Sequence, residues 1–121
     1  MEEQMTVGEK LIAYHQTLSD GYDLELFNEL WHDDYEGYSN STQAIVRKND
    51  LEKTMEACRG VTVHSTDILY ENDEVLVTEW KATFPANSAR AEGTYAVVEW
   101  NKLKDGQIIS HRTGMTTIPS I

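Results

Sequence analysis

Cysteine is almost missing from this chain, which has only Cys58 among its 121 residues. A single cysteine excludes an intramolecular disulfide, and the paired cysteines of common zinc sites are excluded with it. Basic residues are also scarce: ten Lys and Arg stand against 21 Asp and Glu, giving a net charge of −11. Because nucleic-acid binding needs a basic surface, we do not expect that function.

Long apolar runs are absent as well. No stretch of the sequence approaches the roughly 18 apolar residues of a membrane span, so we expect no membrane insertion. The segment "MEEQMTVGEK" has neither the basic flank nor the apolar core of a signal peptide, and a cytoplasmic location is the expectation. The length predicts a single domain, 1–121, large enough to bury a core of its own.

Helical periodicity is confined to the first half of the chain. Thr6 and Glu9 have the spacing of a capping box, in which each side chain accepts a backbone N–H of the other residue. Asp23 is placed to cap a second helix and Asn49 a third, which Gly60 would end. The predicted inward stripes are Val7, Leu11, Tyr14 and Leu18, then Leu24, Phe27, Leu30 and Trp31, then Leu51, Met55 and Cys58.

After Gly60 the apolar period changes to two, which is typical of strands. The segments predicted as strands are 61–70, 74–84, 90–103 and 107–118, with two short strands near 35–38 and 43–46 in the first half. Helices followed by a strand meander predict an α+β fold, with a curved, mixed or antiparallel sheet wrapped around three N-terminal helices.

The last hairpin allows its register to be predicted. If Asp105-Gly106 is a two-residue turn, Lys104 lies opposite Gln107. Continued along the ladder, this register puts Glu99 opposite Arg112 as an ion pair, and Trp100 opposite His111 on the other sheet face.

The face that carries His111 has small or polar residues in its middle rows, where a filled core would have large branched ones. We therefore expect a cavity between this face and the helices. Its predicted lining is Tyr14, Trp31, Tyr38, Trp80, Thr94, Trp100, Thr113 and Met115. The alternative is that Tyr14, Trp31 and Met55 reach in and fill the gap.

Several segments together resemble the SnoaL-like family of the nuclear-transport-factor-2-like superfamily. They are a capped helix with an aromatic residue, "GYDLELFNELWHDDY", a third helix, and a meander closing on "DGQIISHRTG". The resemblance implies a cone-shaped α+β barrel with a cavity between helices and sheet. It also implies a homodimer formed through the outer sheet face, here predicted to show Val75, Val77, Tyr95, Val97 and Glu99.

Enzymes of this family include polyketide cyclases, ketosteroid isomerases, dehydratases and epoxide hydrolases, and the resemblance implies acid/base chemistry without metal or other cofactor. Cyclase-type members often end in G-K-I-x-x-H-x-D. In "GQIISHRT" the histidine is His111, but Thr113 takes the place of the aspartate. The two aspartates of ketosteroid isomerases match Ser39 and Val98, neither of which is acidic.

His111 is the strongest catalytic candidate, because an imidazole titrates near neutral pH and can act as a base in a pocket. Glu92 is predicted on the same sheet face and is the candidate carboxyl group. The expected partner is a small hydrophobic organic molecule with a carbonyl or hydroxyl group. The alternatives are a non-enzymatic oligomerisation module and an acidic adaptor that binds a basic protein.

Overall fold

The computed structural model describes residues 5–21, 23–40, 43–86 and 91–118, and its helices precede most of its strands as the sequence predicts. The helices are α1 (Val7–His15), α2 (Leu24–Leu30) and α3 (Lys48–Ala57), with a 3₁₀ turn at Leu18–Asp20 after α1. The strands are β1 (Glu36–Ser39), β2 (Ala44–Arg47), β3 (Thr62–Glu71), β4 (Val75–Phe84), β5 (Gly93–Lys104) and β6 (Gln107–Ile118). No helix in the described ranges is long and apolar enough to cross a membrane.

Two of the three predicted helix caps are present. Thr6 Oγ1 accepts the Glu9 N–H at 3.1 Å and Glu9 returns the contact at 2.9 Å, which completes the capping box of α1. Asp23 accepts the Leu26 N–H and caps α2. The cap predicted for α3 is wrong: Arg47 holds that position, and Asp50 accepts its N–H. β2 therefore runs directly into α3 without the turn that Asn49 would need.

One mixed sheet holds all the strands in the order β2-β1-β6-β5-β4-β3. Every neighbouring pair is antiparallel except β1 and β6, which are parallel. The sheet is not closed, and with three helices against one face it has the α+β cone architecture that was predicted.

The predicted register of the last hairpin holds only next to the turn. Lys104 pairs with Gln107 and Leu103 with Ile108, but beyond Ile109 the pairing shifts by one residue, so that Asn101 faces His111. An extra residue in one strand is a β-bulge, and it reverses the faces of all later side chains relative to a regular ladder. Glu99 therefore lies opposite Thr113 on the inner face, and the predicted Glu99–Arg112 and Trp100–His111 pairs are wrong.

The helices fill only one end of the inner face. Buried side chains from all three helices pack there against the ends of β4, β5 and β6, forming a core of Leu11, Tyr14, Leu18, Phe27, Leu30, Trp31, Tyr35, Leu51, Leu76, Leu103 and Ile108. A second, smaller cluster at the other end contains Cys58, Val61, Ala82 and Phe84. The predicted alternative is thus partly realised, since Tyr14 and Trp31 close one end of the cone.

Candidate functional site

A hollow of about 190 Å³ lies between the inner sheet face and α3. Its walls are mostly apolar and are formed by Val46, Leu51, Met55, Phe84, Val97 and Met115. Most of its polar groups are on β1, β4, β5 and β6, where they include Ser39, Trp80, Glu99, His111 and Thr113, and Thr54 contributes one from α3. Apolar walls with a few converging polar groups are the usual composition of a small-molecule site.

Glu99 is the only acidic side chain in this lining, and its orientation is fixed by a neighbouring strand. The indole N–H of Trp80 on β4 donates to Glu99 Oε1 at 2.6 Å. The other carboxylate oxygen, Oε2, lies 3.9 Å from His111 Nδ1 on β6. The bulge in β6 is what turns the carboxylate and the imidazole to the same side of the sheet.

Tyr35 contacts the imidazole from the core side. Its hydroxyl lies 2.8 Å from Nδ1 and 2.9 Å from Nε2 of His111. The tyrosine oxygen sits over Gly37, where an added Cβ would clash with the phenol ring. A tautomer in which Nε2–H donates to the Tyr35 hydroxyl leaves the lone pair of Nδ1 free on the side of Glu99.

The burial of this group of side chains sets their protonation. Burial lowers the pKa of His111, and the negative charge of Glu99 opposes that shift. Burial also raises the pKa of Tyr35, and Glu99 adds to that effect. At neutral pH the site therefore holds a neutral imidazole, able to accept a proton, beside a phenol that keeps its own proton.

A second buried histidine supports the site from behind. His15 Nδ1 lies 2.7 Å from Thr66 Oγ1, and the His15 ring packs on Trp80 with 4.8 Å between centroids. Burial lowers the pKa of His15 to about 3, so this ring is uncharged. His15 therefore packs against the indole of Trp80, and the N–H of that indole donates to Glu99.

The structure brings together four of the residues predicted for the site: Trp80, His111, Thr113 and Met115 all line the hollow. Tyr14 and Trp31 lie instead in the packed core, within 5.2 Å of each other between ring centroids. Their helix stripes face the filled end of the cone, so they support the site without bordering it.

The other four predicted residues lie outside the hollow. Trp100 and Thr94 are on the outer face of β5, which follows from the shifted register. Tyr38 is also on the outer side, where the Arg112 guanidinium stacks 5.3 Å from its ring. Glu92 is exposed just before β5 begins and is not among the lining residues, so its predicted place on the inner face is wrong.

Glu99, Val97 and Tyr35 belong to the site although they were not predicted there. The signal that could have found Glu99 and Val97 is the pair Ile108-Ile109, two adjacent apolar residues in a strand that otherwise alternates. Such a pair is a sign of a bulge. A bulge there turns Glu99, rather than Val98, toward the helices.

No group of three or more His, Cys, Asp or Glu side chains within the described ranges is arranged to hold a metal ion. The group that the geometry singles out is the imidazole of His111, with Glu99 and Tyr35 at its two sides.

The family model described as SnoaL-like domain matches residues 11–111. No protein among those with curated descriptions matches the chain. Solved structures do match. Wild-type IdmH from Streptomyces antibioticus, named as a candidate polyketide cyclase, superposes with a TM-score of 0.70 at 15% identity over 92% of each chain.

Two further structures show the same fold. An NTF2-like protein from Anabaena variabilis has a TM-score of 0.68 at 14% identity, covering 98% of this chain and 96% of its own. A candidate SnoaL-like polyketide cyclase from Mesorhizobium loti has a TM-score of 0.56 at 23% identity, covering 91% of this chain and 99% of its own.

Because His15 and His111 are buried, we expect the free energy of unfolding to fall in mild acid. The folded pKa of His15 is about 3 against 6.5 for the free side chain, so below pH 6.5 the unfolded chain takes up a proton that the folded chain does not. From pH 6.5 to pH 5, His15 alone should lower the free energy of unfolding by about 2 kcal/mol, and His111 acts in the same direction. Urea unfolding at several pH values across this range measures how the free energy of unfolding changes with pH.

In the variant His15→Gln, the free energy of unfolding should depend less on pH than in wild type, whatever the stability of the variant at pH 7.5. His64→Gln, at an exposed position on β3, is the matched control and should leave the slope as in wild type. Equal slopes in wild type and His15→Gln would contradict the assignment.

Proposed function

The chain belongs to the SnoaL-like domain family, and we propose that its hollow binds a small, mostly apolar organic molecule with a carbonyl or hydroxyl group. The observation that carries the proposal is the position of Glu99 and His111, 3.9 Å apart, in an otherwise apolar lining. Burying a carboxylate beside an imidazole costs folding free energy, and buried titratable groups of this kind in a cleft are typical of functional sites.

The reaction that these groups support is a cofactor-free proton transfer, as in an isomerase, a cyclase or a dehydratase. Neutral His111 takes a proton from the carbon next to the carbonyl, and the electron pair moves onto the carbonyl oxygen. In this proposal the hydroxyl of Thr113, which also lines the hollow, donates a hydrogen bond to that oxygen. The charge of Glu99 favours the imidazolium that forms, because it raises the pKa of His111.

The structural neighbours support the same class of chemistry. IdmH and the Mesorhizobium loti protein are both named as candidate polyketide cyclases, and both share this fold. In this chain Ser39, Val98 and Thr113 stand where the family's catalytic acids are expected. In the proposed site Glu99, the residue after Val98, supplies the carboxylate instead.

Exchange of ketone protons tests this proposal without knowledge of the natural substrate. Wild-type protein in D₂O should speed the loss of the α-proton NMR signals of a small cyclic ketone such as cyclohexanone. His111→Gln should lower that rate by roughly 100-fold or more, since the variant removes the base. Val97→Phe, which fills the hollow from the sheet floor, should abolish the effect.

The control is Leu24→Phe, which adds the same ring at a position on α2 that is 48% exposed and outside the lining of the hollow. It should exchange protons at the wild-type rate. If wild type and Val97→Phe are equally active, or both inactive across a set of small ketones, the hollow is not a proton-transfer site.

We also propose that two copies of the chain associate through the outer sheet face. Val98 and Trp100 are adjacent outward positions on β5, with 44% and 45% of their surfaces exposed. Val77 lies directly opposite Trp100, so the three side chains form one apolar patch. An exposed apolar patch of this kind on the outer sheet face suits a symmetric partner surface.

Sedimentation velocity measures this association. Wild type should sediment as a dimer at micromolar concentration, and Trp100→Glu as a monomer, because the introduced charge would be buried without a partner. Leu24→Glu changes a residue on α2 that is 48% exposed, and should leave the dimer intact. A monomeric wild type, or a dimeric Trp100→Glu, would contradict this interface.

A further inference from the structure

The electrostatics of the hollow are one-sided. Its described lining contains one carboxylate, Glu99, and no Lys or Arg. The imidazole of His111 does not supply a positive charge at neutral pH, because burial lowers its pKa. A ligand that enters the hollow therefore meets a negative charge with no fixed positive charge beside it.

The carboxylate is also incompletely satisfied. Oε1 accepts the Trp80 N–H at 2.6 Å, but Oε2 has only His111 Nδ1 near it, at 3.9 Å. That separation is longer than a hydrogen bond. Among the ion pairs of the described residues none joins Glu99 to a Lys or Arg. Oε2 is not among the fully buried atoms without a partner, and the Glu99 side chain keeps 13% of its surface exposed in the lining of the hollow, so Oε2 can accept from a donor that enters there.

We propose that the donor comes from the ligand, and that this site selects small apolar amines, bound as ammonium ions with an N–H directed at Glu99 Oε2. The inference rests on the proposed function, since it names the substrate class of the same hollow: compounds that carry a protonated amine close to the carbonyl or hydroxyl. An ammonium next to a carbonyl also stabilises the negative charge that develops on its oxygen when His111 removes a proton.

The walls of the hollow suit a cation with an apolar body. Trp80 and Phe84 both border it, and aromatic rings attract ammonium groups through their π faces. The aliphatic and thioether side chains of the lining would contact the apolar part of the guest. The net charge of −11 adds a long-range field that attracts cations and repels anions.

The volume limits the guest to about one ring. The hollow holds about 190 Å³. A buried cavity of roughly 150 Å³ is enough to bind benzene. A benzene ring with one short substituent therefore fits, whereas a fused polycyclic compound would need the hollow to widen.

Three ligands of nearly equal shape test the charge preference: benzylamine, benzyl alcohol and benzoate, titrated into wild-type protein at pH 7 by NMR or calorimetry. We expect benzylamine to bind about tenfold to 100-fold more tightly than benzyl alcohol, and benzoate more weakly than either. Glu99→Gln should bring the affinity for benzylamine down to that for benzyl alcohol while leaving the alcohol unchanged. Glu79→Gln, the same change on the outer face of β4, should keep the preference.

If Glu99→Gln does not fold, the order of the three affinities in wild-type protein still tests the proposal. If benzyl alcohol binds as well as benzylamine, the amine assignment is wrong and the proposed ligand hollow stands. If none of the three binds and cyclohexanone exchange is also absent, the proposed function and this inference are both wrong. A preference for benzylamine that persists in Glu99→Gln would place the recognition outside the carboxylate and overturn the assignment.

Discussion

The site depends on a single extra residue in the last strand. Ile108 and His111 are both buried on the inner face, although a regular strand would put residues at that odd spacing on opposite faces. The bulge at Ile109 resolves the conflict by letting the first residue pack in the core and the second face the hollow. The same shift places Glu99 opposite Thr113, so it brings Glu99 to the side of the sheet that carries His111, and the proposed function depends on these two residues.

One end of the inner sheet face is covered by packed side chains, and the rest borders the hollow. Tyr14, Phe27 and Trp31 fill the end near the last hairpin with ring contacts of 4.9 to 6.1 Å between centroids. The rest of that face, floored by Val97 and covered by α3, stays hollow. Because Tyr35, Trp80 and the rings behind them are packed, the polar groups at the boundary are held by rigid neighbours, which a site for proton transfer requires.

Local signals in the sequence were sufficient for much of the fold. The caps at Thr6 and Asp23 and the change of period after Gly60 depend on adjacent residues, and the turn at Asp105-Gly106 fixes the first pairs of the hairpin. The site was harder to predict from the sequence, because it depends on which residues of β5 and β6 share a sheet face. The single bulge changes which face of β5 lies on the same side as His111. Trp100 and Glu99 therefore exchanged faces between prediction and structure, whereas His111 did not.

The bulge can be tested directly by cross-linking, because the two registers pair Val98 with different residues. The structure places Val98 opposite Gly114, whereas a hairpin without the extra residue places it opposite Thr113. In a Cys58→Ala background, Val98→Cys with Gly114→Cys should form an intramolecular disulfide on oxidation, and Val98→Cys with Thr113→Cys should not, as read by mass spectrometry of unreduced peptides. Efficient cross-linking of the second pair alone would show a regular ladder, with Glu99 turned away from His111.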